Sequence, residues 1–133
     1  MGRYATSTAG DVHDAAARSH PDPVRLVETH RKARPGASFG ELRSAITGDA
    51  LFGVGSRALA GAHAARSGAA TFTYEFTWRS GALGGELGAA HVVELPFVFD
   101  LAHLRGLRGP NALLGPGEPP ADLAARTPRG TPP

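Results

Sequence analysis

An α/β arrangement, with two or three helices packed against one or two strands, is what this sequence predicts. Three observations carry it. Asp22-Pro23 and Ser38-x-x-Glu41 are helix-start patterns, each leading into apolar residues at helical spacing. Residues 70–78, ATFTYEFTW, alternate polar and aromatic side chains with a period of two. Beyond them, glycine and proline punctuate the chain as loop.

The first 23 residues are small, polar and aperiodic, closed by Pro21-Asp22-Pro23, and read as a mostly disordered lead-in or as a scrap of a lid-side segment without its neighbours. A helix is expected over 22–34. Asp22 serves as its N-cap, Pro23 takes the first helical position, Val24, Val27 and His30 or Arg31 lie at helical spacing, and Pro35-Gly36 ends it. Ser38-Phe39-Gly40-Glu41 has the form of a capping box, in which the serine oxygen accepts from the third amide and the glutamate reaches back. The helix it opens runs through Leu42, Ala45 and Ile46 to about Gly48. A third helix is expected over 49–67, with Leu51, Phe52, Val54, Leu59 and Ala62 as its apolar contacts, although Gly53 and Gly55 each weaken it by about 1 kcal/mol relative to alanine. Gly68 suits its end. Residues 70–78 are the clearest strand, with Phe72, Tyr74, Phe76 and Trp78 on one face. A lone strand leaves its backbone donors and acceptors unsatisfied, so this one needs a neighbour. Residues 79–90 and 106–120 are glycine-rich or glycine- and proline-rich loops, and a short final helix is expected near 119–126.

Composition narrows the function classes. At 133 residues the chain holds one modest domain. Its net charge is +2, with arginines scattered and no block of like charge, so neither a nucleic-acid surface nor an anionic membrane surface is indicated. There is no cysteine, which excludes a thiol nucleophile, thiolate metal sites and disulfides. The N-terminus lacks the apolar core of a secretory signal, and no apolar run is long enough to span a bilayer, so a cytoplasmic location is expected. The histidines, at 13, 20, 30, 63, 91 and 103, show no H-x-x-x-H spacing, and the glycines form neither a Walker-type loop nor G-x-G-x-x-G. No metal and no cofactor are expected.

The chemistry concentrates in one stretch. His91 sits on a glycine-rich loop after the strand, within Gly88-Ala89-Ala90-His91-Val92-Val93-Glu94-Leu95-Pro96-Phe97-Val98-Phe99. His91 sits where a strand hands over to a loop, a common position for a catalytic residue, but a loop histidine is most often a surface or structural one, so composition alone gives it only a minor claim to catalysis. The stretch, however, closely resembles the C-terminal part of type-B carboxylesterases, para-nitrobenzyl-esterase-like serine hydrolases of the α/β-hydrolase fold. The resemblance is specific over 72–100 and looser from about Val24 to about Thr127. It implies that His91 is the triad base, that residues 24–127 are the C-terminal portion of a carboxylesterase domain with an incomplete sheet, and that 128–133 is a divergent tail. It also implies that Thr47, Asp49 and Phe52 match a pocket-lining pattern, with Phe52 binding substrate. Glu94 holds the loop or caps the element after it. Phe97, Phe99 and Trp78 read as core.

No G-x-S-x-G nucleophile elbow occurs. In this fold family the histidine comes last of the triad in chain order, so the chain reads as a fragment that supplies only the histidine. No residue here is matched to the triad acid; Asp11 and Asp14 lack any surrounding motif. The expected function is a carboxylic ester hydrolase acting through an acyl-serine, inactive alone. Its partners would be an ester substrate in the complete enzyme and an upstream esterase fragment. The competing expectation is a non-catalytic interaction module that pairs through its aromatic strand 70–78.

Overall fold

A computed structural model describes residues 4–66 and 68–126, and its contacts divide the chain into two compact units, Met1–Thr73 and Tyr74–Pro133. The sequence of 128–133, read as a divergent tail, lies outside the described residues, as does Ser67 at the expected end of the third helix.

The first unit is helical. Helix α1 spans Ala9–Ser19, α2 Pro23–Ala33, α3 Phe39–Gly48 and α4 Val54–Arg66; a π-helical turn, Asp49–Gly53, joins α3 to α4. Local chemistry sets the ends. Asp22 accepts from the Arg25 amide at 3.0 Å and Pro23 occupies the first turn of α2. The Ser38–Glu41 box is complete, with Ser38 Oγ accepting from the Glu41 amide and the Glu41 carboxylate accepting from the Ser38 amide. Helix α1 starts the same way, from Thr8 and Asp11. It falls in the stretch expected to be a disordered lead-in, and its buried face is Val12, Ala15 and Ala16. Those residues pack on Leu42 and Ile46 of α3, with Leu26, Val27 and Ala37 around them, to form the core of this unit. The spacing i, i+3, i+4 places the three α1 residues on one stripe, and two of them are alanines small enough to bring α1 close to α3.

Helix α4 differs from its expectation. None of its residues is buried, and Leu51, Phe52, Val54 and Leu59 are all exposed. Alanine and glycine interrupt every possible apolar stripe on it, so it has no face to bury. Polar ties hold it instead: Arg57 donates to Asp49, and His63 Nδ1 lies 2.7 Å from Thr71 Oγ1.

The second unit is mostly irregular. A 3₁₀ turn at Ala82–Gly85, the short helix α5 at Leu95–Val98, a 3₁₀ turn at Arg105–Leu107 and the terminal turn α6 at Leu123–Arg126 are its elements. Its buried side chains include Ala82, Val93, Phe97 and Leu114, with Ser80. Loop-to-loop backbone bonds close it: Leu83 donates to Pro110 at 2.7 Å, Leu114 to Leu107 at 2.8 Å and Gly109 to Gly115 at 2.8 Å. Gly115 has φ +76, and a Cβ there would stand 2.6 Å from the Ala82 nitrogen, so both its conformation and its surroundings require glycine. Arg108 ties the loops together by pairing with Glu118 and donating to the Ala102 carbonyl.

The α/β expectation is corrected by this structure. Among the described residues there is no sheet, only one isolated antiparallel bridge between Ser80 and Gly88. Residues 70–78 run without helix, turn or bend, but they pair with no strand and form no backbone hydrogen bond among the described residues. The reason is physical. Alternation and β-propensity prepare a strand, yet the ladder is completed only by a second strand, and the other described segments are helix or glycine-proline loop. Reading the chain as part of an α/β-hydrolase sheet fails with it.

Candidate functional site

His91 lies in the second unit at the first position of a turn over 91–94, and its side chain is exposed. The turn is tied by the Val93 amide to the Ala90 carbonyl at 3.2 Å and by the Leu95 amide to the Val92 carbonyl at 3.2 Å. Its anchors are apolar. Val93 is fully buried, and Pro96 and Phe97 in the first turn of α5 are buried as well. Phe97 receives two aromatic neighbours, Phe76 at 5.3 Å and Trp78 edge-on at 5.2 Å between centroids. Such contacts contribute roughly 0.5–1.5 kcal/mol each beyond area burial. Phe97 and Trp78 are therefore packing residues here, while Phe99 is exposed. Glu94 stands at the N-cap position of α5, but its side chain makes no capping hydrogen bond.

Two backbone features frame His91. Gly88, at the Ser80 bridge, has φ +57, a conformation glycine adopts freely. Val92, directly after His91, has φ +74. A β-branched residue seldom enters that region, and residues held there cluster at functional sites. An accessible imidazole is thus presented on a turn held by a buried Val-Pro-Phe base and strained at its tip. An imidazole so placed can accept and return a proton. Ser80, a buried serine of this unit, accepts from the Ala82 amide at 3.1 Å.

Phe52 belongs to the other unit, in the π-helical turn, and is half exposed. His91 and Phe52 therefore sit in separately packed parts of the chain.

The first unit contains a polar cluster built on Asp49, which the resemblance matches to a pocket-lining pattern, and on His30 and Arg57, which no motif marks. His30, on the last turn of α2, is buried. Its Nδ1 lies 3.0 Å from the Leu26 carbonyl oxygen and its Nε2 lies 3.1 Å from Asp49 Oδ2. Arg57 donates to the other oxygen of Asp49 at 2.9 Å. Burial alone would raise the Asp49 pKa, but hydrogen bonds and charge from Arg57 and His30 outweigh it and hold the carboxyl below its usual range. The π-turn positions this pair. Asp49 begins it and Gly53 ends it, and a Cβ at Gly53 would stand 2.4 Å from Asp49 Oδ1. The cluster ties α2 to the π-turn and α4. His30 and Asp49 are 19 residues apart in the chain, and only the fold brings them together.

In the same unit, Ala15, Arg18, Ser19, Thr47, Ala50 and Leu51 line an open hollow of about 340 Å3. Among the described residues, no three histidine, aspartate or glutamate side chains converge as metal ligands do, and no helix is long and apolar enough to cross a membrane. No family model matches the chain, and no solved structure matches it.

Proposed function

We propose that this chain supplies the general base of a serine carboxylesterase whose nucleophile and acid lie outside this sequence. The observation that carries the reading is the turn at His91. Its imidazole is exposed, its base is buried, its tip is strained at Val92, and it lies within the Gly88–Phe99 motif. In the proposed reaction His91 takes the proton of a serine hydroxyl as that oxygen attacks an ester carbonyl. It returns the proton to the departing alkoxide, then activates water to release the acid from the acyl-serine. Without the nucleophile the chain has no turnover of its own, since an imidazole by itself is not a triad. Phe52 stands on a separate unit and is not required by this reading.

The test is p-nitrophenyl acetate hydrolysis by the purified chain, alone and mixed with an N-terminal piece of a type-B carboxylesterase that carries its serine and acid. The expected result is activity only in the mixture, abolished by His91→Ala. A mixture that co-elutes as a complex yet stays inactive would overturn the reading, as would full activity in the alanine variant.

A further inference from the structure

We infer that residues 70–78 are a self-pairing strand, and that two copies of this chain associate through it as an antiparallel two-stranded ribbon centred on Tyr74. The inference does not rest on the hydrolase reading.

Three observations lead to it. The segment forms no backbone hydrogen bond among the described residues, so a full row of donors and acceptors is available for a ladder. Phe72 and Tyr74 are 75% and 58% exposed, a large apolar surface to leave in water. The third observation is the residue order, which selects both the partner and the register.

Directly opposed residues in an antiparallel pair share a face. With Tyr74 on the two-fold axis, Ala70 stands opposite Trp78, Thr71 opposite Thr77, Phe72 opposite Phe76 and Thr73 opposite Glu75. Every aromatic then meets an aromatic or alanine, every polar residue meets a polar one, and no like charges oppose. Phe72 of one protomer comes to lie beside the partner's Phe76, which already packs on the partner's Phe97. The neighbouring registers each fail. Centring on Glu75 opposes two carboxylates, and parallel in-register pairing does the same. Centring on Phe76 draws in Ser80, whose amide already donates to the Gly88 carbonyl. Centring on Thr73 leaves Trp78 opposite Gly68. Shifts by a single residue set aromatic against polar side chains throughout. The favoured ladder is about 30 Å long, within the usual range for a strand.

Thr73 and Glu75 are exposed, so substitutions there read the ribbon and not the fold. Sedimentation of the full chain from about 1 to about 100 µM brackets a dimer of micromolar affinity. The unaltered chain is expected to pass from monomer to dimer across that range. Thr73→Glu places like charges opposite each other twice per dimer and is expected to raise the dimer Kd about tenfold or more. Thr73→Lys sets opposite charges there and is expected to hold or tighten the dimer. The double variant Thr73→Glu, Glu75→Lys restores it. A chain that stays monomeric throughout, or a dimer indifferent to the sign of the charge at 73, overturns the inference.

Discussion

Val92 stands at φ +74 next to His91, and a left-handed backbone costs an L-residue roughly 1–2 kcal/mol. Glycine removes that cost but loses about 0.5–1 kcal/mol through its looser unfolded chain. Val92→Gly is therefore expected to stabilise the protein by about 0.5–1 kcal/mol, measured as a higher urea midpoint with unchanged slope. A drop in stability would mean that Val92 contributes more by packing than its backbone costs. Asp49 gives a prediction with a pH sign. Its carboxyl titrates lower in the folded chain than in the unfolded one. The stability it contributes is therefore present above the ordinary aspartate range, and is lost as pH falls through the lower folded value. Asp49→Asn should cost ~1 kcal/mol at neutral pH, a modest figure because Arg57 is two-thirds exposed. In urea titrations at successive pH values, its curve should be flatter than the parent's below about pH 4. Parallel curves would show that the His30–Asp49–Arg57 cluster contributes nothing to folding. Asp49 stands in the pocket-lining pattern the resemblance implies, but no local pattern joins it to His30 and Arg57. His30 reads as one more position on an amphipathic helix, and its partner Asp49 opens a turn whose π geometry depends on packing. The loop that carries His91 is legible from its glycines; the strain at Val92 is not, since nothing about a valine announces a positive φ.

At the scale of elements, the chain is most readable where a helix end is chemically self-contained. Asp22-Pro23 and Ser38-x-x-Glu41 act within four residues, and both helices begin where those residues place them. Ser38→Ala removes the acceptor for the Glu41 amide and should cost about 1 kcal/mol, read as a lower thermal midpoint. No change would show that Glu41 alone secures that end. Helix α1 carries an equivalent signal in Thr8 and Asp11, but its core stripe is two alanines and a valine, too weak an apolar pattern to set against the polar residues around it. Residues 70–78 show the opposite case. Their alternation is the strongest pattern in the sequence, yet a strand is a property of two segments, and no second one stands beside it among the described residues. Helix α4 forms without burying anything, so its predicted contacts had no partner surface to meet.

At the scale of the whole molecule, two units of different character share one chain. One is a small helical core with ties at its margins; the other is loops closed over Phe97 and Leu114. Patterning along the chain does not separate them, because the boundary at Thr73–Tyr74 falls in the middle of the most regular stretch. Composition points to few large apolar residues, and among the described residues few side chains are fully buried.

Trp78 is the single tryptophan, and it rests edge-on against Phe97 in the second unit. The long helices that dominate peptide-bond ellipticity lie in the first. Each half thus carries its own spectroscopic reporter. Indole fluorescence follows the loosening of the half that carries His91, circular dichroism follows the melting of the helices, and comparing the two curves tells whether this chain unfolds in one step or two.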